Sequence, residues 1–133
     1  MLDIKFIREN KELVKESARK KRLDFDVEKL IEVDERRRKL LGQVEEKRAE
    51  QKVTNNEIVN ADSDKREALL GKMKALKANL LVAESDLKAL MREWQTLMLQ
   101  VPNIPDATVP EGGGERDNLV LKTWGEKPKF NFE

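Results

Sequence analysis

From residue 27 to residue 101 the apolar positions recur at alternating steps of three and four, the spacing of a and d positions in a coiled coil. One seam runs Val27, Leu30, Asp34, Arg37, Leu41, Val44, Arg48, Gln51, Asn55 and Ile58. A second runs Arg66, Leu69, Met73, Leu76, Leu80, Ala83, Leu87, Leu90, Trp94, Leu97 and Val101. Between them lies Asn60-Ala61-Asp62-Ser63-Asp64, polar and rich in helix-capping residues, where Asp64 and Glu67 have capping-box spacing. Opposed residues of an antiparallel hairpin have position numbers with a constant total. Val27 with Leu97, Leu30 with Trp94, Val44 with Leu80, Gln51 with Met73 and Ile58 with Arg66 all total 124. The register therefore closes around a turn centred on Asp62. The pattern predicts two hairpin helices, about 26–60 and 64–101, the first capped by Asp26. At 1.5 Å per residue, an arm of about 35 residues extends about 50 Å. Its outer half is the weaker, because three of the five polar seam residues of the first helix (Arg48, Gln51 and Asn55, with Asp34 and Arg37 nearer the base) fall there.

Two short helices are expected before the arm, within residues 3–22. Asp3 caps the first, through Ile4 and Ile7, and Asn10 caps the second, from residue 11 to about 22. Leu13, Val14 and Ala18 form the apolar stripe of the second helix. Packed at the base of the arm, these helices thicken a core that two helices alone leave thin. The cationic run Arg19-Lys20-Lys21-Arg22 falls in the last helical turn, where it complements the helix dipole; as a nucleic-acid patch it is the less favoured reading. Composition changes at Pro102. Residues 1–101 hold no proline and two glycines, whereas residues 102–133 hold all four prolines and four glycines. The fold class is thus all-α: a helical domain over 1–101, then an irregular, extended linker segment over 102–133.

Of the 133 residues 40% are charged and 5% aromatic, and cysteine and histidine are absent. Thiol nucleophiles, histidine bases and Cys/His metal sites are thereby excluded. No catalytic, cofactor-binding or metal-binding residue is assigned. Gly112-Gly113-Gly114 lacks the Lys-Ser/Thr of a phosphate-binding loop. The beginning of the chain lacks the layout of a secretory signal, and no apolar run approaches the roughly 20 residues of a membrane span. A cytoplasmic protein without membrane association is expected.

Net charge is only +1, so the local distribution of charge has to identify the partner. Residues 47–77 carry eight cations against five anions, a modestly positive outer arm. Candidate RNA contacts are Lys47, Arg48, Lys52, Asn56, Lys65, Lys72, Lys74 and Lys77, with Gln51 and Asn55 as further polar partners. No aromatic residue lies in this stretch, so a structured RNA or duplex is read through backbone and shape rather than by base stacking. The alternative from charge alone is a structural coiled-coil module that binds another protein. A membrane-surface helix ranks third, because the apolar stripe already faces its partner helix.

The segment after the arm is more specific. Val101-Pro102-Asn103-Ile104-Pro105, Val109-Pro110, Gly112, Glu115, Asn118, Trp124-Gly125 and Phe130-Asn131-Phe132-Glu133 resemble the junction after the arm of seryl-tRNA synthetases. The start, Met1-Leu2-Asp3-Ile4-Lys5-Phe6-Ile7-Arg8-Glu9-Asn10, and the stretch Asp34-Glu35-Arg36-Arg37-Arg38-Lys39-Leu40-Leu41 are similar to the same family. Arg48-Ala49-Glu50 also matches, but the following Gln51-Lys52-Val53 departs from the Arg-Asn-Lys-like sequence of many bacterial members.

The resemblance implies an N-terminal coiled-coil arm that grips the long variable arm and elbow of serine tRNA, mainly through sugar and phosphate contacts. It implies a class II catalytic domain after residue 133, where serine, ATP and magnesium bind and through which the full-length protein forms a homodimer. By this reading the isolated domain is a monomer, holds no cofactor and does not aminoacylate tRNA alone.

Overall fold

The computed structural model describes residues 2–130; Met1, Asn131, Phe132 and Glu133, which belong to the family-like termini, lie outside the described residues. The elements are α1 (Ile4–Glu9), α2 (Lys11–Lys20), α3 (Val27–Asn60) and α4 (Ser63–Gln100), with one 3-10 turn at Glu115–Asp117. Helices α3 and α4 pack against each other as an antiparallel hairpin, with 34 and 38 residues respectively. At 1.5 Å per residue they span about 51 and 57 Å.

Local chemistry sets most of the boundaries. Asp3 accepts from the Lys5 N–H at 2.7 Å, and Asp26 from the Lys29 N–H at 3.0 Å, so both expected caps form. Asn10 does not cap α2 with its side chain. It closes α1 instead, its amide nitrogen donating to the Phe6 carbonyl at 3.0 Å. Helix α2 ends at Lys20, two residues before the expected point. Arg22 adopts φ 54°, which lets Leu23 N–H donate to the Ala18 carbonyl at 2.9 Å and Arg22 N–H to that of Arg19 at 3.0 Å. That is a Schellman closure with arginine where glycine is usual. In the apolar stripe of α2, Val14 and Ala18 are buried but Leu13 is exposed; Ser17 is buried in its stead, its hydroxyl donating to the Leu13 carbonyl. At the hairpin turn Asp62 is the N-cap residue and helix begins at Ser63, so Asp64 lies in the first turn and the expected capping box does not form.

The core divides in two. At the base, Ile7 of α1 and Val14 of α2 meet Val27 and Leu30 of α3 and Met98 of α4, with Phe25, Trp94, Leu97 and Val101 around them. Met98 was absent from the expected seam. The short helices draw the buried face of α4 toward themselves, leaving Leu97 and Val101 half-buried. Farther out, Val44 packs with Leu80, Ala83 and Leu87, and Leu40 lies against them.

The seam of α4 is as expected from Met73 to Leu90, but Arg66 is exposed. The seam of α3 differs in phase. Beyond Arg37 the inward positions are Leu40, Val44, Lys47, Gln51, Thr54 and Ile58, so Leu41, Arg48 and Asn55 point outward. The step of three simply precedes the step of four. A straight helix drifts about 20° per heptad relative to a 3.5-residue repeat, and either phase keeps Val44, Gln51 and Ile58 inside. The observed phase buries Leu40 and Thr54 while the guanidinium of Arg48 and the amide of Asn55 reach water. Thr54 is 1% exposed and its hydroxyl has no hydrogen-bond partner among the described residues, which weakens the outer arm.

Asp34 and Arg37 also lie on the seam, close to the base. Asp34 is fully buried and accepts from Arg37 Nε at 3.1 Å and Nη2 at 2.7 Å. Arg8 of α1 approaches the other carboxylate oxygen at 3.7 Å. The Arg37 guanidinium carbon stands 4.7 Å from the centroid of the Trp94 ring, a cation–π contact. This charged node ties α1 to both arms of the hairpin.

After Pro102, itself buried, the chain turns at Asp106, which accepts from the backbone and hydroxyl of Thr108, and then runs exposed. Glu111 reaches back to Lys20 at 3.4 Å and Arg19 at 3.5 Å, so two of the four cations at the end of α2 are paired within the chain.

Candidate nucleic-acid interface

The α3 phase decides which side chains flank the seam, and the two flanks are chemically unlike. On one flank Arg48, Gln51, Lys52 and Asn55 of α3 and Met73 and Lys77 of α4 line a groove of about 290 Å³. A second groove, of about 500 Å³, continues toward the base between Arg48 and Glu84, Leu87, Lys88, Met91, Arg92 and Gln95. Arg48 lines both. Lys52, Arg48, Lys77, Lys88 and Arg92 thus form a track of cations, and among the described residues Glu84 is the one carboxylate lining either groove.

The other flank is mixed. Lys47 is half-buried beside Gln43, Glu46 and Glu50. Lys72 is paired with Glu50 at 3.0 Å, and Lys65 lies near Glu57 at the tip.

The eight residues expected from sequence therefore separate. Arg48, Lys52 and Lys77 come together. Lys74 precedes Lys77 by three positions and Asn56 follows Lys52 by four, so each is one helical turn from the track on its own helix. Lys47, Lys65 and Lys72 sit among carboxylates on the opposite flank. Lys88 and Arg92 are not among the eight, because charge along the chain does not show which residues share a helix face. The signal was present: Lys77, Lys88 and Arg92 are spaced by eleven and four positions, close to whole helical turns.

Arg48 is not loosely solvated. Its Nε and Nη2 donate to a single oxygen of Glu84, Oε1, at 3.0 and 2.6 Å across the hairpin. Lys52, Lys74, Lys77, Lys88 and Arg92 have no ion-pair partner among the described residues. Phosphate contacts need cations of this kind, exposed and arrayed on one face. Among the described residues no aromatic side chain lines either groove, so no platform for base stacking is formed by them. Among the described residues no cluster of three or more carboxylates is placed to hold a metal ion, and no helix is long and apolar enough to cross a membrane.

Comparison with known proteins agrees with this architecture. The serine–tRNA ligase of Thermomicrobium roseum is 37% identical over 133 residues, covering 99% of this chain and 30% of that protein. The enzyme of Syntrophobacter fumaroxidans is 34% identical over 135 residues, covering 100% of this chain and 32% of its own. The chain thus spans about a third of the length of these relatives. Among solved structures, seryl-tRNA synthetase from Pyrococcus horikoshii, crystallised with ATP, superposes with a TM-score of 0.75 at 29% identity, over 94% of this chain and 29% of that one. The family described as "Seryl-tRNA synthetase N-terminal domain" matches residues 1–105, the four helices and the few residues after them, and the chain belongs to that family.

Proposed function

We propose that this chain is a tRNA-binding arm that grips the long variable arm and elbow of serine tRNA through phosphate and sugar contacts. The observation that carries the reading is the cationic track on one flank of a long hairpin, in a chain of this family. Lys52, Lys77, Lys88 and Arg92 supply phosphate contacts, and Gln51 and Asn55 bond sugar or backbone oxygens between them. Lys77 and Arg92 are fifteen positions apart on one helix, about 22 Å, enough to face several successive phosphates. The arm orients the acceptor end for aminoacylation by a catalytic domain that follows it in the cytoplasmic, homodimeric whole protein. ATP and magnesium belong to that domain, and the arm alone forms no aminoacyl product.

A fluorescence titration tests this. The chain is titrated with serine tRNA, and with the same tRNA lacking its long variable arm, across a salt series. Four phosphate contacts give a log–log salt slope of about −3 to −4. The reading requires tighter binding of the intact tRNA and a slope of that size. Equal binding of both RNAs, or none, returns the chain to the scaffold alternative.

A further inference from the structure

We infer that Glu84 is a specificity-determining residue that acts through Arg48, keeping phosphates of wrongly placed RNA out of the middle of the basic track. The inference rests on the RNA-binding reading above and deepens it.

Three observations lead there. Among the described residues lining the two grooves Glu84 is the one carboxylate; it lines the second groove and is paired with Arg48, where the two join. It belongs to α4 while Arg48 belongs to α3, so the contact bridges the hairpin, and the Arg48 fork converges on one oxygen of the carboxylate. Both side chains remain accessible, 61% for Arg48 and 37% for Glu84, so the pair holds no buried structure together. An exposed pair of this kind contributes at most about 1 kcal/mol to stability. Its larger consequence is electrostatic: it places a negative charge in a row of cations and neutralises the central one.

A duplex laid along the track in an arbitrary register drives a phosphate against that carboxylate. Such a register must break the Arg48–Glu84 pair or leave a gap in its contacts. An RNA held in register from elsewhere, by its own shape and the contacts beyond the grooves, places its phosphates on Lys52, Lys77, Lys88 and Arg92 and leaves the pair intact. Glu84 thus subtracts affinity from generic duplexes more than from the correct ligand. Removing a repulsion lowers discrimination even as it tightens binding.

The test compares Glu84→Gln, Arg48→Ala and the double variant with the unsubstituted chain, using intact serine tRNA and the same tRNA without its variable arm. Glu84→Gln should tighten binding of the shortened RNA by about fivefold, the factor that 1 kcal/mol represents, and that of the intact RNA by less than about twofold. The salt slope for the shortened RNA should steepen by about 0.7 to 0.9 as Arg48 becomes one more phosphate contact. In the Arg48→Ala background the Glu84 substitution should no longer steepen the salt slope, because the cation it would free is gone. Helicity should stay unchanged and the thermal midpoint should fall by no more than about 4 °C, which separates selectivity from stability. Equal tightening of both RNAs, no change in the salt slope, or the same steepening of the slope without Arg48 overturns the inference while leaving the tRNA reading in place. Failure of the unsubstituted chain to bind either RNA overturns both.

Discussion

Replacing Asp34 with alanine should loosen the base of the arm more than any surface charge reversal. Asp34 is fully buried, whereas the side chains of its partners, Arg37 and Arg8, are 19% and 30% exposed. The substitution removes two charge-assisted hydrogen bonds from Arg37 and leaves two guanidinium groups side by side with no counter-charge. Breaking a buried ion pair from one side costs about 3–5 kcal/mol. Both arginines can reach water, and the 3.7 Å contact to Arg8 is a weak one, so about 2–3 kcal/mol is the appropriate range here. For a chain of 133 residues, 1 kcal/mol corresponds to about 4 °C in Tm, which gives a drop of about 8–12 °C. Thermal unfolding followed by circular dichroism at 222 nm reads it. Amide exchange should rise first in α1, because Arg8 is that helix's charged link to the hairpin. In a double-mutant cycle, Asp34→Leu with Arg37→Met should recover most of the loss, since an apolar pair needs no desolvated charge. A Tm drop below about 3 °C for Asp34→Ala, or one matched by Glu84→Ala at the surface, would refute the reasoning.

Three further outcomes follow from the same structure. Leu80→Glu places an unpaired charge against Val44, Ala83 and Leu87; it should melt the middle of the arm, seen as loss of helicity, while exchange protection persists at Ile7 and Val14. Arg22→Gly removes a left-handed penalty of about 1–2 kcal/mol less the entropy that glycine adds to the unfolded chain, and should raise Tm by a few degrees. Glu28, hydrogen-bonded to Lys15, and Glu16, hydrogen-bonded to Arg19, both titrate below the ordinary value of 4.5 in the folded chain. Their contribution is therefore complete above that value and is lost as pH falls through the lowered ones, so an acid titration of Tm should show a decline beginning near pH 4.5 that Glu28→Gln reduces.

The hairpin was legible because two apolar seams with a shared register leave few other ways to bury leucine. The caps at Asp3 and Asp26 were legible for the same local reason: a carboxylate placed just before a helical pattern finds free N–H groups. What failed was phase. Val44, Gln51 and Ile58 fit either order of steps, and only packing against α4 selects Leu40 and Thr54 over Leu41 and Asn55. That choice also turns Arg48 out of the seam and creates the cationic flank. Met98 and the Arg8–Asp34–Arg37 node were beyond the pattern, since both depend on where α1 and α2 dock, which no periodicity within the arm encodes. The cations named from the sequence therefore fall on two flanks, and Lys88 and Arg92, which share a groove with Arg48, were not among them.

The central claim, that one flank of the arm meets RNA and the other does not, is tested most directly by reversing equal charge on each. Lys52→Glu with Lys77→Glu should weaken binding of intact serine tRNA by at least tenfold and flatten its salt slope by about 2, with helicity unchanged. Lys47→Glu with Lys65→Glu, the same change in net charge on the mixed flank, should weaken it by less than threefold. Equal losses from the two pairs would mean that the RNA responds to total charge alone, and would contradict the account.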